Sequence, residues 1–85
     1  MPVRVRVPLT VGDAVRITRE LQEMTQSELA AACGMSQAAI SGIEKNRVAL
    51  GVERATKLAR ALRVHPAVLL FPQWDVEKES ARVAG

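Results

Sequence analysis

The sequence predicts an all-α domain of five short helices, preceded by an extended segment and followed by a short tail. Three observations carry that expectation. Apolar residues recur at helical spacing in successive segments. Capping residues, glycines and prolines bracket those segments. A chain of 85 residues has room for only one hydrophobic core. The expected division is an extended arm or strand over residues 1–9, the helical domain over 10–72 and the tail over 73–85.

Each element has its own local signal. In MPVRVRVP, Val3, Val5 and Val7 alternate with Arg4 and Arg6, an extended pattern closed by Pro8. Thr10 or Gly12 caps a first helix reaching about Leu21. At about 100° per residue its inner arc holds Val11, Ala14, Val15, Thr18 and Leu21, with Arg16, Glu20 and Glu23 outside. Thr25-Gln-Ser-Glu28 has the form of a capping box and opens a second helix with the stripe Leu29, Ala30, Cys33. Gly34 ends it, because glycine tolerates a left-handed backbone. Ser36 caps a third helix from Gln37 to about Lys45. Ala39, Ile40 and Ile43 lie on its inner side, and Asn46 is its left-handed terminus. Gly51 or Val52 starts a fourth helix with the apolar set Val52, Ala55, Leu58, Ala59 and Leu62. Arg54, Lys57, Arg60 and Arg63 read as its solvated side. His65-Pro66 is cap plus first-turn proline of a short fifth helix, Ala67 to Phe71, stopped by Pro72.

Composition excludes several classes of function. Aromatics are 2% of the chain, too few for a platform that stacks single-stranded bases. One Cys and one His make neither a disulfide framework nor a Cys/His metal site, so no metal and no cofactor are expected. Apolar runs such as Ala67 to Phe71 are far too short to span a membrane, and no signal core follows the first arginines. The expected location is the cytoplasm. No nucleophile, base and orienting group cluster in sequence, so the chain does not read as an enzyme. The net charge is +3, and residues 1–72 hold ten basic and six acidic side chains against a slightly acidic tail. A basic body favours a polyanionic partner.

Residues 25–47, TQSELAAACGMSQAAISGIEKNR, carry the sharpest signal. They encode two short capped helices joined by a tight glycine turn, the second with one apolar face and one small, polar face. That combination suits a duplex reader. One helix braces on the DNA backbone while the other enters the major groove and offers an amide to a base edge.

This stretch resembles the helix-turn-helix of the Cro/XRE family of DNA-binding regulators, through TQSELA, Gly34, ISGIE and KLARALRV, over residues 11–71. ISGIEKNR is similar to the corresponding run of restriction–modification controller proteins, and residues 25–72 also resemble small antitoxins. The resemblance implies a lambda-repressor-like fold with a helix-turn-helix DNA-binding domain over residues 10–72. It places Gln37, Ala38, Ser41 and Gly42 at base-reading positions. Gln26, Ser36, Asn46 and Arg47 fall at backbone-phosphate positions, and Lys45, beside them at the end of the third helix, is a further candidate for a backbone contact. Gln26 would also support Gln37, and Arg19 with Glu44 would form a structural ion pair. Two departures stand out: Gly42 replaces a longer side chain, and Leu50 replaces a frequent proline.

Plainer readings stand beside these. Gln37 also suits a solvated surface, and Lys45 and Arg47 also suit the negative end of a helix dipole. Cys33 reads as a small core residue and His65 as a helix start. Arg4 and Arg6 belong to a frayed terminus, a DNA-groove arm or a strand paired with a partner chain. Trp74 folds back, closes a dimer or meets another protein.

The function expected is a sequence-specific repressor of double-stranded DNA operators acting as a homodimer. Val68, Leu69, Leu70 and Phe71 would form the dimer seam. The setting expected first is an autoregulating antitoxin with a cognate toxin as partner. A phage-type repressor or restriction–modification controller is the alternative, and a protein-interaction module that does not bind DNA is the alternative from another class.

Overall fold

The structure, a computed structural model, describes residues 9–73, and they form five α-helices with no strand among them. The helices are α1 (Val11–Leu21), α2 (Gln26–Cys33), α3 (Gln37–Glu44), α4 (Val52–Leu62) and α5 (Pro66–Leu70). The arm carrying Arg4 and Arg6, and Trp74 with the tail beyond it, lie outside the described residues.

Local chemistry sets the helix ends. Thr10 Oγ1 accepts the Asp13 N–H and the Asp13 carboxylate accepts the Thr10 N–H, both at 3.0 Å. Thr25 and Glu28 repeat this capping box at α2, at 3.0 and 2.9 Å. These backbone bonds hold the carboxyls of Asp13 and Glu28 below their ordinary values. Ser36 Oγ accepts the Ala39 N–H at 3.0 Å to start α3, and His65 Nδ1 accepts the Ala67 N–H at 3.0 Å to start α5. Gly34 closes α2 with φ +70°, a left-handed backbone that costs glycine little. Asn46 and Arg63 adopt the same region at φ 60° and 58°.

All five helices contribute to one core. Val15, Leu29, Ile40, Ile43, Leu58, Leu62 and Leu69 are fully buried in it. Two faces differ from the apolar pattern in the sequence. The buried arc of α1 contains Gly12, Ala14, Val15 and Arg19, while Leu21 is 79% exposed. The helix is turned toward Gly12 and Arg19 because both pack against the end of α3. Val52 is 72% exposed, since the first turn of α4 projects past the core that Ala55 and Leu58 enter. Cys33 is half-buried at the core margin, and burial pushes its thiol pKa up, away from reactivity.

Close approach at Gly12 joins α1 to α3. A Cβ there would stand 2.5 Å from the Glu44 carbonyl oxygen and 2.6 Å from that of Ile43, so only glycine fits this crossing. Longer tethers complete the frame. The Gln22 side chain donates to the Leu62 carbonyl at the end of α4. Gln73 Nε2 donates to the Leu9 carbonyl at 2.6 Å, joining the two ends of the described domain.

Candidate nucleic-acid interface

The turn at Gly34 and Met35 brings the first residues of α2 and α3 together on one side of the molecule. Met35 N–H donates to the Ala30 carbonyl at 3.0 Å, which closes the turn. Gln26 opens α2 and Gln37 opens α3, and their side chains meet: Gln37 Nε2 donates to Gln26 Oε1 at 2.7 Å. Gln26 Nε2 in turn donates to Glu44 Oε1 at 3.0 Å.

Glu44 is where this surface network becomes buried. Its side chain is 3% exposed, and Arg19 grips it with two parallel bonds, Nε to Oε2 at 2.7 Å and Nη2 to Oε1 at 3.0 Å. Arg19 Nη1 donates to the Met24 carbonyl at 2.7 Å, so the guanidinium also holds the chain between α1 and α2. Burial by itself would raise the Glu44 carboxyl. Hydrogen bonds from Arg19 and Gln26, with the arginine charge, outweigh it and hold the carboxyl below its ordinary value. The hydrogen bond to Glu44 raises Arg19 correspondingly, against its own desolvation. No buried side-chain nitrogen or oxygen among the described residues lacks a partner. A fork-to-fork pair of this kind fixes both side chains in direction as well as distance.

The outer face of α3 is small and wet. Gln37 and Ala38 are exposed and Ser41 half-buried, so the first turn can approach a ligand closely. Lys45 and Arg47 are exposed beyond it, with no ion pair among the described residues. Ser36, at the α3 cap, and Gln26, at the α2 start, flank the same face. The structure thus gathers Gln26, Ser36, Gln37, Ala38 and Ser41 on one surface, with Lys45 and Arg47 beyond them at the end of α3.

Three of the expected site residues make contacts within the domain itself. Asn46 was expected as a phosphate contact, but its amide is engaged within the domain. Its Oδ1 accepts the Gly12 N–H at 3.0 Å and its Nδ2 donates to Thr10 Oγ1 at 2.9 Å. It therefore satisfies one orphan donor at the start of α1, the Gly12 N–H, and holds the Thr10 hydroxyl oxygen with its own amide. Gly42 was expected at a base-reading position, yet a Cβ there would stand 2.9 Å from Val48 Cγ2. Its carbonyl accepts the N–H groups of Arg47 and Val48, at 2.8 and 3.2 Å. Its smallness lets the loop after α3 fold close. Leu69 was expected in a dimer seam, but it is fully buried in the core of its own chain because α5 packs on α4 and α1. Val68 at 48% and Phe71 at 57% exposure face outward beside half-buried Leu70.

The Asn46 clasp on α1 is the structural detail the sequence did not disclose. Its left-handed backbone was legible, but its partners lie 34 and 36 residues away. The described residues include no group of three or more His, Cys, Asp or Glu side chains placed to hold a metal ion. No described helix is long and apolar enough to cross a membrane.

The helix-turn-helix family model HTH_3 matches residues 15–69. No curated protein matches the chain. Among solved structures, the restriction–modification controller protein C.AhdI from Aeromonas hydrophila is 27% identical. That match covers 69% of this chain and 89% of the controller, with a TM-score of 0.67. The P22 c2 repressor in complex with a synthetic operator is 27% identical over 73% of this chain and 94% of the repressor, with a TM-score of 0.68. The clp gene regulator ClgR from C. glutamicum is 27% identical over 93% of this chain and 97% of its own, with a TM-score of 0.69.

Proposed function

The chain belongs to the HTH_3 helix-turn-helix family, whose fold is that of DNA-binding transcription regulators rather than enzymes. On that premise we propose that it is a sequence-specific repressor of double-stranded DNA, with residues 10–72 as the DNA-binding unit. The observation that carries this reading is Gln37. An exposed amide stands at the start of α3, among small neighbours, and is held by a network rooted in a buried ion pair. A solvated surface glutamine has no need of such an anchor. A base reader does, because a fixed amide loses less freedom on binding.

In the proposed complex α3 lies in the major groove and Gln37 meets a base edge, with Ala38 and Ser41 beside it. Gln26, Ser36, Lys45 and Arg47 face phosphates, and Arg4 and Arg6 extend the basic surface along the groove. One eight-residue helix reads too few base pairs for genomic specificity. We therefore infer a homodimer on a two-fold operator, with Val68 and Phe71 at the seam and Leu70 at its edge. Repression follows by occlusion of polymerase. The likeness to a phage repressor and a controller protein supports an operator-bound regulator of that kind. The antitoxin setting stays beside it as a proposal, tested by co-purification with the product of the adjacent reading frame.

The test of DNA binding is its salt dependence. Affinity for duplex DNA, followed by fluorescence anisotropy between about 50 and 200 mM salt, should fall steeply because phosphate contacts release counterions. A slope of log K against log salt near zero would remove the DNA-binding reading and leave an interaction module.

A further inference from the structure

Beside the core, α2 and α4 leave a cleft that the proposed DNA surface does not use. Ala32 and Cys33 of the last turn of α2 line it with Lys57, Arg60 and Ala61 of α4, around a volume of about 240 Å³. Space remains there because Ala32 and Ala61 bring only a methyl group each to the gap between the helices. The inner wall is apolar: half-buried Cys33 and Ala61 pack against the core that Leu29, Leu58 and Leu62 fill.

The rim of the cleft is cationic. Lys57 and Arg60 are both exposed, three residues apart and so on one edge of α4. Arg16 and Arg19 are paired with carboxylates, and Arg54 donates to the Ala49 carbonyl at 3.1 Å. Lys57 and Arg60 form no ion pair among the described residues, even with Glu53 one turn before Lys57. The C-terminal end of α2 brings about half a negative charge to the cleft, against two full positive charges. Burial pushes the Cys33 thiol up and the Lys57 charge works against that rise, so the ammonium is felt at the sulfur on the inner wall.

We propose that the cleft between α2 and α4 is a binding site for a small organic carboxylate. The carboxylate lies between Lys57 and Arg60, and the apolar body covers Ala32, Cys33 and Ala61. The guanidinium offers a planar fork to both carboxylate oxygens, and the ammonium adds a compact charge beside it. An inorganic anion would gain the rim but leave the wall wet; a neutral hydrocarbon would gain the wall alone. The volume lies just under the roughly 300–1,000 Å³ of sites for drug-sized ligands, so it suits one ring or a short chain. Cys33 and Gln26 stand at opposite ends of α2, and the site does not depend on the reading of α3 as the DNA-contacting helix.

Benzoate is the probe, titrated into the full chain and followed by the NMR shifts of the alanine methyl groups. Ala32 and Ala61 should shift together and saturate. Arg60→Gln should weaken that binding about tenfold, the effect of one charge-assisted contact. Arg63→Gln removes the same charge from the end of the same helix, outside the cleft, and should leave the binding unchanged. Sulfate should not reproduce the methyl shifts. Shifts that fail to saturate, or equal losses in Arg60→Gln and Arg63→Gln, would show diffuse attraction to a basic surface and overturn the proposal. A second readout uses the one cysteine of the chain. Iodoacetate and iodoacetamide both alkylate sulfur with loss of iodide, and only the first carries a carboxylate. The rate ratio of iodoacetate to iodoacetamide at Cys33 should be higher in the folded chain than in urea, and Arg60→Gln should lower it. An equal ratio in the folded and unfolded chains would also overturn the proposal.

Discussion

Glu44 and Arg19 form a charge pair with little water around it, so its two halves depend on each other far more than a surface pair does. Removing one partner leaves a buried, uncompensated charge, which costs about 3–5 kcal/mol where an exposed ion pair contributes about 0–1 kcal/mol. Glu44→Ala should therefore lower stability by about 3–5 kcal/mol in denaturant melts. A loss below about 1 kcal/mol would place the pair in solvent. The same pair predicts acid sensitivity. The folded carboxyl lies below its ordinary value of 4.5, so the unfolded chain takes up the proton first as pH falls. The stabilisation is full above 4.5 and is lost as pH drops through the folded value, in a titration of unfolding midpoint that Glu44→Ala should flatten. Sequence spacing alone did not expose this residue. Arg19 lies beyond the arc that the apolar residues of α1 outline, and only family resemblance paired it with Glu44. The structure explains why: the partner is 25 residues away, and no local rule reaches so far.

Helix by helix, the boundaries were readable because their causes are local. A capping box spans four residues, a left-handed glycine needs one, and a first-turn proline declares itself. Thr25→Ala should accordingly cost about 1 kcal/mol, measured as a shifted denaturation midpoint. What the sequence could not supply was the surface against which each helix turns. Leu21 and Val52 fit the apolar periodicity but lie at helix ends past the reach of the core. Gly12 fits no periodic rule and proves to be the crossing point of α1 with α3. Gly12→Ala forces a Cβ to within 2.5 Å of a backbone oxygen, so the helices must separate. Thermal melts should show a loss of about 1–3 kcal/mol, the range for an overpacked core. Because the Asn46 clasp bonds the Gly12 N–H, that separation should also disturb the end of α3.

Across the whole molecule, the fold class was legible, and so was the grouping of Gln26 with Gln37 at the starts of α2 and α3, while the run proposed as an assembly surface divides between core and exterior. The run Val68 to Phe71 reads as uniformly apolar, but a five-residue helix has two sides, and α5 spends Leu69 on its own core. Two substitutions should separate these roles. Leu69→Asp should unfold the chain, whereas Val68→Asp should leave it folded and shift sedimentation toward a monomer with weaker operator binding. Unchanged dimers of Val68→Asp would move the interface elsewhere. The central claim is that α3 reads bases while the groups around it grip the backbone. It is tested most directly by binding the native chain, Gln37→Ala and Arg47→Ala to every single-base variant of a selected operator. Gln37→Ala should cost about 1–3 kcal/mol on the best site and flatten preference at one base pair per half-site. Arg47→Ala should weaken all duplexes alike and reduce the salt slope by roughly one per lost contact. A Gln37→Ala profile identical to the native one would contradict the claim and transfer specificity to DNA shape or to Arg4 and Arg6.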